Sequence, residues 1–130
     1  MRTMAQKRAE FALERVLLIK DTNDFQPFSA GAPAMILQNG FGQTLAFWLA
    51  KGTKDGKIKI NDKHIVLFDI VQDWLSLKTK DIDNSFANEK DRTKLMKELT
   101  TMEQRQYLSA QNETLALLEW VKRFANADLS

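Results

Sequence analysis

Met4-Ala5-Gln6-Lys7-Arg8-Ala9-Glu10-Phe11-Ala12-Leu13-Glu14-Arg15-Val16-Leu17-Leu18-Ile19 decides the fold class. Met4, Ala5, Ala9, Ala12, Leu13, Val16 and Ile19 recur at steps of three and four residues, which stacks them along one face of an α-helix. The residues between them are mostly charged, so the segment reads as a helix with one buried stripe. Asp21-Thr22-Asn23-Asp24 then ends it, because these side chains compete for backbone hydrogen bonds and favour turns and caps.

The same period continues along the chain. Ser29 is the expected cap of a second helix, with Pro33 tolerated in its first turn. Asn39-Gly40 is the expected stop, since glycine readily takes the left-handed conformation that closes many helices. Leu45, Ala46, Phe47, Leu49 and Ala50 resume helical spacing between Gln43 and Lys51, and Gly52 to Asn61 reads as a basic loop. His64 to Leu77 is apolar at Ile65, Leu67, Phe68, Val71, Trp74 and Leu75 and predicts another amphipathic helix. Lys78 to Asp91 has no sustained period and reads as a polar connection, followed by a short helix over Arg92 to Leu99. Thr101-Met102-Glu103-Gln104 has the form of a capping box, and Tyr107, Ala110, Leu117, Val121, Phe124 and Ala125 follow it in what should be the longest helix. The expectation is an all-α, compact single-domain bundle of five or six helices spanning 1–130.

Composition agrees. The 130 residues are 44% hydrophobic and 28% charged, with five glycines and two prolines, which favours a folded helical chain over a disordered or turn-dense one. With no cysteine there is neither a disulfide framework nor a thiolate site. The start of the chain is charged and amphipathic rather than an apolar signal core, and no apolar run is long enough to span a bilayer, so a cytoplasmic protein without membrane association is expected. The net charge of +2 is unevenly spread. Residues 1–20 carry five Lys/Arg against Glu10 and Glu14, and Lys51, Lys54, Lys57, Lys59 and Lys63 face only Asp55 and Asp62 between 51 and 63. Such local basic patches suit a phosphate-contacting face, with ordinary solvated surface as the alternative.

Catalytic and metal-binding constellations are missing. His64 is the single histidine, and its five-residue spacing from Asp69 does not hold one helical face, so His64, Asp69 and Asp73 make a poor metal site. Glu10/Glu14 and Asp69/Asp73 are i,i+4 carboxylate pairs that can act as acid and base only if buried in a cleft. Asp81-Ile82-Asp83-Asn84-Ser85 opens like a calcium loop, but Phe86 stands where Gly is required and Arg92 where the bidentate Glu should be. Gly40-Phe41-Gly42 has neither a preceding strand nor a following Lys-Ser/Thr pair and reads as a helix break. No cofactor and no enzymatic activity are expected.

Pro33-Ala34-Met35-Ile36-Leu37-Gln38-Asn39-Gly40-Phe41-Gly42-Gln43-Thr44-Leu45-Ala46-Phe47-Trp48-Leu49-Ala50-Lys51 resembles the central signature of the small-subunit family of the type III-B CRISPR (Cmr) RNA-targeting complex. That signature is a Pro-x-x-Ile-x-x-Asn-Gly-Leu segment followed by Gln-x-Leu-Ala-Phe and a Lys. Glu113-Thr114-Leu115-Ala116-Leu117-Leu118-Glu119-Trp120-Val121-Lys122-Arg123-Phe124-Ala125, with Tyr107 before it, is similar to the family's closing helix, and Ala5-Gln6-Lys7-Arg8-Ala9 has the character of its opening. The blocks keep the family's order across nearly the whole chain. Phe41 departs from the usual Leu, and residues 52–63 and 78–92 carry no family pattern.

The resemblance implies a non-catalytic helical subunit that stacks, with neighbouring copies of itself, beside the repeated backbone subunits holding the guide RNA. Target cleavage then belongs to the backbone subunits, and signalling-nucleotide synthesis and DNA cleavage to the large subunit. The expected partners are these Cmr subunits and the guide and target RNA. Because the guide reads the target by base pairing, the protein needs only phosphate and shape contacts. Lys51, Lys122 and Arg123 lie in the signature blocks and are the leading RNA contacts; Arg8, Arg15, Lys54 and Lys57 are added from charge density. Phe47, Trp74, Tyr107, Trp120 and Phe124 fall on apolar stripes and are assigned to the core, with base stacking as the alternative. Trp48, beside Phe47 and so on another face, is expected to mark a subunit or RNA contact. The competing readings are a helical adaptor or homodimeric interaction module that binds no nucleic acid, and a small hydrolase using Asp69, Asp73 and His64.

Overall fold

In the computed structural model, which describes residues 1–80, 82–84 and 91–129, α1 (Met4–Leu17) opens on a reciprocal cap. The Gln6 backbone N–H donates to Thr3 Oγ1 at 3.1 Å and the Thr3 N–H donates to Gln6 Oε1 at 2.8 Å, which satisfies donors that the first helical turn leaves without partners. Ala12 and Val16 are buried, flanked by Met4, Phe11 and Ile19.

The second helix begins well before Ser29. α2 (Thr22–Asn39) starts behind Asp21, so the polar run expected to end the first helix begins the next, α1 having ended earlier at Leu17. Ser29 lies buried inside α2, its hydroxyl donating to the Gln26 carbonyl at 3.0 Å, and both Pro27 and Pro33 are interior. Each proline lacks the N–H of an intrahelical bond. The helix survives because Phe25, Ser29, Ala32 and Ile36 form a buried stripe, so tertiary packing outweighs local propensity.

Gly40 joins α2 to α3 (Phe41–Lys51) with φ of 92° and ψ of 152°. The sign of φ is as expected, but ψ places the residue outside the left-handed helical well, in a region that is essentially glycine's alone. A Cβ added there would meet nothing within 4 Å, so the penalty for any other residue is backbone strain rather than a clash. Gly40→Val is expected to cost about 1–3 kcal/mol in urea unfolding; an unchanged midpoint would show that the junction re-forms without this conformation.

The basic loop is a hairpin. β1 (Thr53–Lys54) pairs antiparallel with β2 (Lys57–Ile58), with Thr53 opposite Ile58 and Lys54 opposite Lys57. Asp55 (φ 53°) and Gly56 (φ 75°) supply the two positive φ angles of a primed two-residue turn, a signal that Asp-Gly carries in the sequence. α4 (Lys63–Leu75) is capped by Asp62 and buries eight of its thirteen residues, the mark of a helix surrounded by others. Of the polar connection expected from Lys78 to Asp91, residues 81 and 85–90 lie outside the described residues.

α5 (Arg92–Thr101) is capped by Asp91, which accepts from the Thr93 and Lys94 N–H groups. Thr101 does not start the last helix: it ends α5, its hydroxyl donating back to the Lys97 and Glu98 carbonyls, and α6 (Gln104–Ala125) follows Glu103 with no side-chain cap. α6 is the longest helix and packs mainly on α1 and α2. At its start Tyr107 Oη accepts from the Gly42 N–H at 2.8 Å; at its end Asn126 Nδ2 donates to the Gln26 carbonyl at 3.2 Å. α2 and α6 therefore run antiparallel. Six helices and one small hairpin among the described residues make an all-α bundle.

Candidate functional site

α3 buries Phe41, Thr44, Leu45 and Trp48, a stripe at steps of three, one and three. This reverses the expectation for the adjacent aromatics. Trp48 is fully buried, its indole meeting the edge of Phe28 with ring centroids 5.5 Å apart, whereas Phe47 is 45% exposed. Grouping Phe47 with Leu45, Leu49 and Ala50 overlooks the longer stripe that starts at Phe41. Trp74 is buried as expected, while Tyr107, Trp120 and Phe124 are half-buried around the core, the last two stacked at 5.7 Å.

At the end of the bundle where α1 runs into α2, a groove of about 690 Å³ opens toward the hairpin and the start of α4. Arg15 and Lys20 enter it from α1 and its exit, Lys51 from the last turn of α3, Lys54 from β1 and Lys63 from the first turn of α4. Against these five cations stand Asp21, Asp24 and Asp62. Arg15 is partly committed, donating to Asp73 Oδ2 at 2.6 Å. His64 is fixed by Asp62, whose Oδ1 accepts from both its backbone N–H at 2.8 Å and its Nδ1 at 2.9 Å. A carboxylate only accepts, so Nδ1 carries a proton. Burial pushes the Asp62 carboxyl up, but the hydrogen bonds from His64 and its nearby charge outweigh this and hold it below its ordinary value.

Aromatic rings border the same cations. Lys51 Nζ sits 5.5 Å from the Phe47 centroid and Lys63 Nζ 6.0 Å from that of Phe28, while the His64 ring lies 4.6 Å from Phe28 and 6.5 Å from Phe47. α2, α3 and α4 thus meet in a cluster of cations and rings, the pairing that single-stranded nucleic-acid surfaces use.

Of the seven cations singled out in the sequence, Lys51, Lys54 and Arg15 converge on the groove. Lys57 pairs with Lys54 across the hairpin and extends the basic surface beyond it. Lys122 and Arg123 do not line the groove; Lys122 meets Glu119 at 3.0 Å, and Arg123 is exposed on the last turn of α6. Arg8 is held by Glu113, with Nε to Oε1 at 2.6 Å and Nη2 to Oε2 at 2.9 Å. Glu113 also accepts from Trp74 Nε1 at 3.0 Å. Burial raises its pKa, but the Arg8 and Trp74 hydrogen bonds and the Arg8 charge lower it by more, so it stays ionised below the usual glutamate range. Lys20, Lys63 and His64 are groove residues that the sequence reading leaves out of the RNA contacts. The available signal is Asp62, a helix N-cap that puts Lys63 and His64 in the first turn of α4.

Of the carboxylates weighed as acid and base, the Asp69/Asp73 pair is engaged: Arg92 grips Asp69 through two bonds of 2.8 Å and Arg15 holds Asp73. Among the described residues no three His, Asp or Glu side chains form a group able to hold a metal, and no helix is long and apolar enough to cross a membrane.

Comparison with known proteins agrees with the signature blocks. The sequence pattern of the family described as CRISPR-associated protein (Cas_Cmr5) matches residues 4–128. The crystal structure of a CRISPR-associated Cmr5 family protein from Thermus thermophilus is similar over 100% of both chains, with 27% identity and a TM-score of 0.70. The chain belongs to the Cmr5 family, the small subunits of the CRISPR Cmr complex.

Proposed function

We propose that this protein is a non-catalytic small subunit of a type III-B Cmr effector complex, stacking beside the guide-RNA backbone and binding guide and target RNA through phosphate contacts in antiviral defence. The observation that carries the RNA-binding reading is the groove that gathers Lys51, Lys54 and Lys63 from three elements separated in sequence. Phosphates follow one another along a strand whatever its bases, so a line of ammonium groups on rigid elements binds RNA without reading sequence. Arg15 contributes what Asp73 leaves available, Lys57 lengthens the basic surface beyond the hairpin, and Arg123, outside the groove, is a further candidate contact. Lys122 is the weaker contact because Glu119 competes for it. Arg8 serves the core through Glu113. The ion pairs that hold Asp69 and Asp73 support a role without catalysis.

Exposed Leu17 and Leu18 at the end of α1 and Leu37 near the end of α2 favour contacts with neighbouring copies or other subunits. They equally suit the helical adaptor, which differs in needing no RNA. Co-purification from the native host, with identification of the associated proteins and RNA, separates the two. Guide RNA together with the backbone and large Cmr subunits is expected; protein partners alone, without guide RNA, would favour the adaptor.

A further inference from the structure

A second concavity, of about 620 Å³, lies where the end of α2 faces α3. Its lining is Met35, Gln38, Asn39, Gln43, Thr44 and Phe47. Thr44 is already used, its hydroxyl donating to the Met35 carbonyl at 3.1 Å. What remains is an exposed phenyl ring, a thioether chain and three primary amides. Each amide offers donors and an acceptor in one plane, the complement of a nucleobase edge, and an amide that can turn over matches more than one edge.

The ring supplies the face. Lys51 is one helical turn beyond Phe47, with its Nζ 5.5 Å from the ring centroid, and it also lines the cationic groove. Lys51 therefore stands between the exposed ring and the cationic groove. An all-apolar docking surface would not place three amides beside one ring, and a purely electrostatic one would not leave a phenylalanine exposed among them.

We propose that this concavity receives one unstacked nucleobase of an RNA strand, held by stacking on Phe47 and edge contacts to Gln38, Asn39 and Gln43, while the strand's phosphates continue past Lys51. The inference rests on the RNA-binding reading above and goes beyond it: phosphate and shape contacts alone bind paired and unpaired strands alike, whereas this pocket takes a base out of the stack.

The test measures binding of the full chain to oligouridylate and to an abasic ribose-phosphate strand of equal length and charge. Wild type is expected to bind the base-bearing strand roughly tenfold more tightly, the scale of one base–aromatic stack. Phe47→Ala should bring that ratio to about one, and Phe47→Tyr, which keeps the ring, should restore it. Thermal unfolding checks that both variants fold, as substitution of an exposed side chain allows. Equal wild-type affinity for the two strands overturns the nucleobase pocket while leaving phosphate binding intact. Binding to neither strand overturns the pocket and the RNA-binding reading beneath it. An unchanged ratio in Phe47→Ala, accompanied by loss of self-association in sedimentation, assigns the concavity to a second copy of the chain and also overturns the proposal.

Discussion

Trp74→Ala is expected to lower stability by about 3–5 kcal/mol, the range for deleting a large aromatic from a packed core. Trp74 is fully buried on α4 with its ring 5.0 Å from that of Phe11 on α1, and its Nε1–H reaches Glu113 on α6. Three helices therefore lose contacts at once. Glu113 also loses one of the hydrogen bonds that keep it ionised in a part-buried place, which adds to the cavity cost. Against the roughly 5–15 kcal/mol that separates most folded domains from their unfolded chains, this one side chain is a large share. Urea unfolding measures it, with Trp74→Phe as the companion: a six-membered ring is kept while the rest of the indole and its N–H are lost, so the cost should be smaller than for alanine. A loss below about 1 kcal/mol for the alanine variant would contradict this packing.

Much of the bundle is legible in the sequence because its helices obey a local rule. α1 and α6 follow their apolar period with little interference, and Gly40 announces a junction by the one property no other residue shares. The misplaced features depend on what lies across the molecule. The start of α2 reads too late because Pro33 suits a first helical turn and so draws the expected start to Ser29, while the stripe from Phe25 to Ile36 that carries the helix past both prolines is a matter of packing. Trp48 and Phe47 exchange roles because adjacent residues on a helix face different ways, and the buried face is set by a stripe that starts at Phe41, two residues before the Gln43 from which the apolar spacing is counted in the sequence.

The site shows the same division. The signature blocks identify the family and place Lys51 in it. Charge density alone ranks Arg8 beside Lys54, because a window along the chain cannot see Glu113, 105 residues away, closing on the guanidinium. It also cannot see that the exit of α1, the last turn of α3, the hairpin and the first turn of α4 meet at one groove. The Asp55-Gly56 turn and the Thr3–Gln6 capping box are missed features with strong local signals.

If the groove binds RNA by its phosphates, binding must weaken steeply as salt rises. Each phosphate contact releases counterions, so log affinity falls linearly with log salt, with a slope of about 0.7 per contact on a single strand. Combined change of Lys51, Lys54 and Lys63 to Ala should leave the bundle folded, because ammonium groups at a solvent-facing groove contribute little to stability. Affinity should fall, and the slope should become shallower by about 2 if each lysine meets one phosphate. Two unrelated RNAs should show the same change, since nothing in the groove depends on base identity. Combined change of Lys122 and Arg123, outside the groove, should alter the slope by less. The measurement is binding of single-stranded RNA to the wild type and both variants across several salt concentrations. A folded groove variant with weaker binding and a shallower slope on both RNAs is expected; a folded groove variant that keeps the wild-type affinity and slope would rule out phosphate binding at the groove.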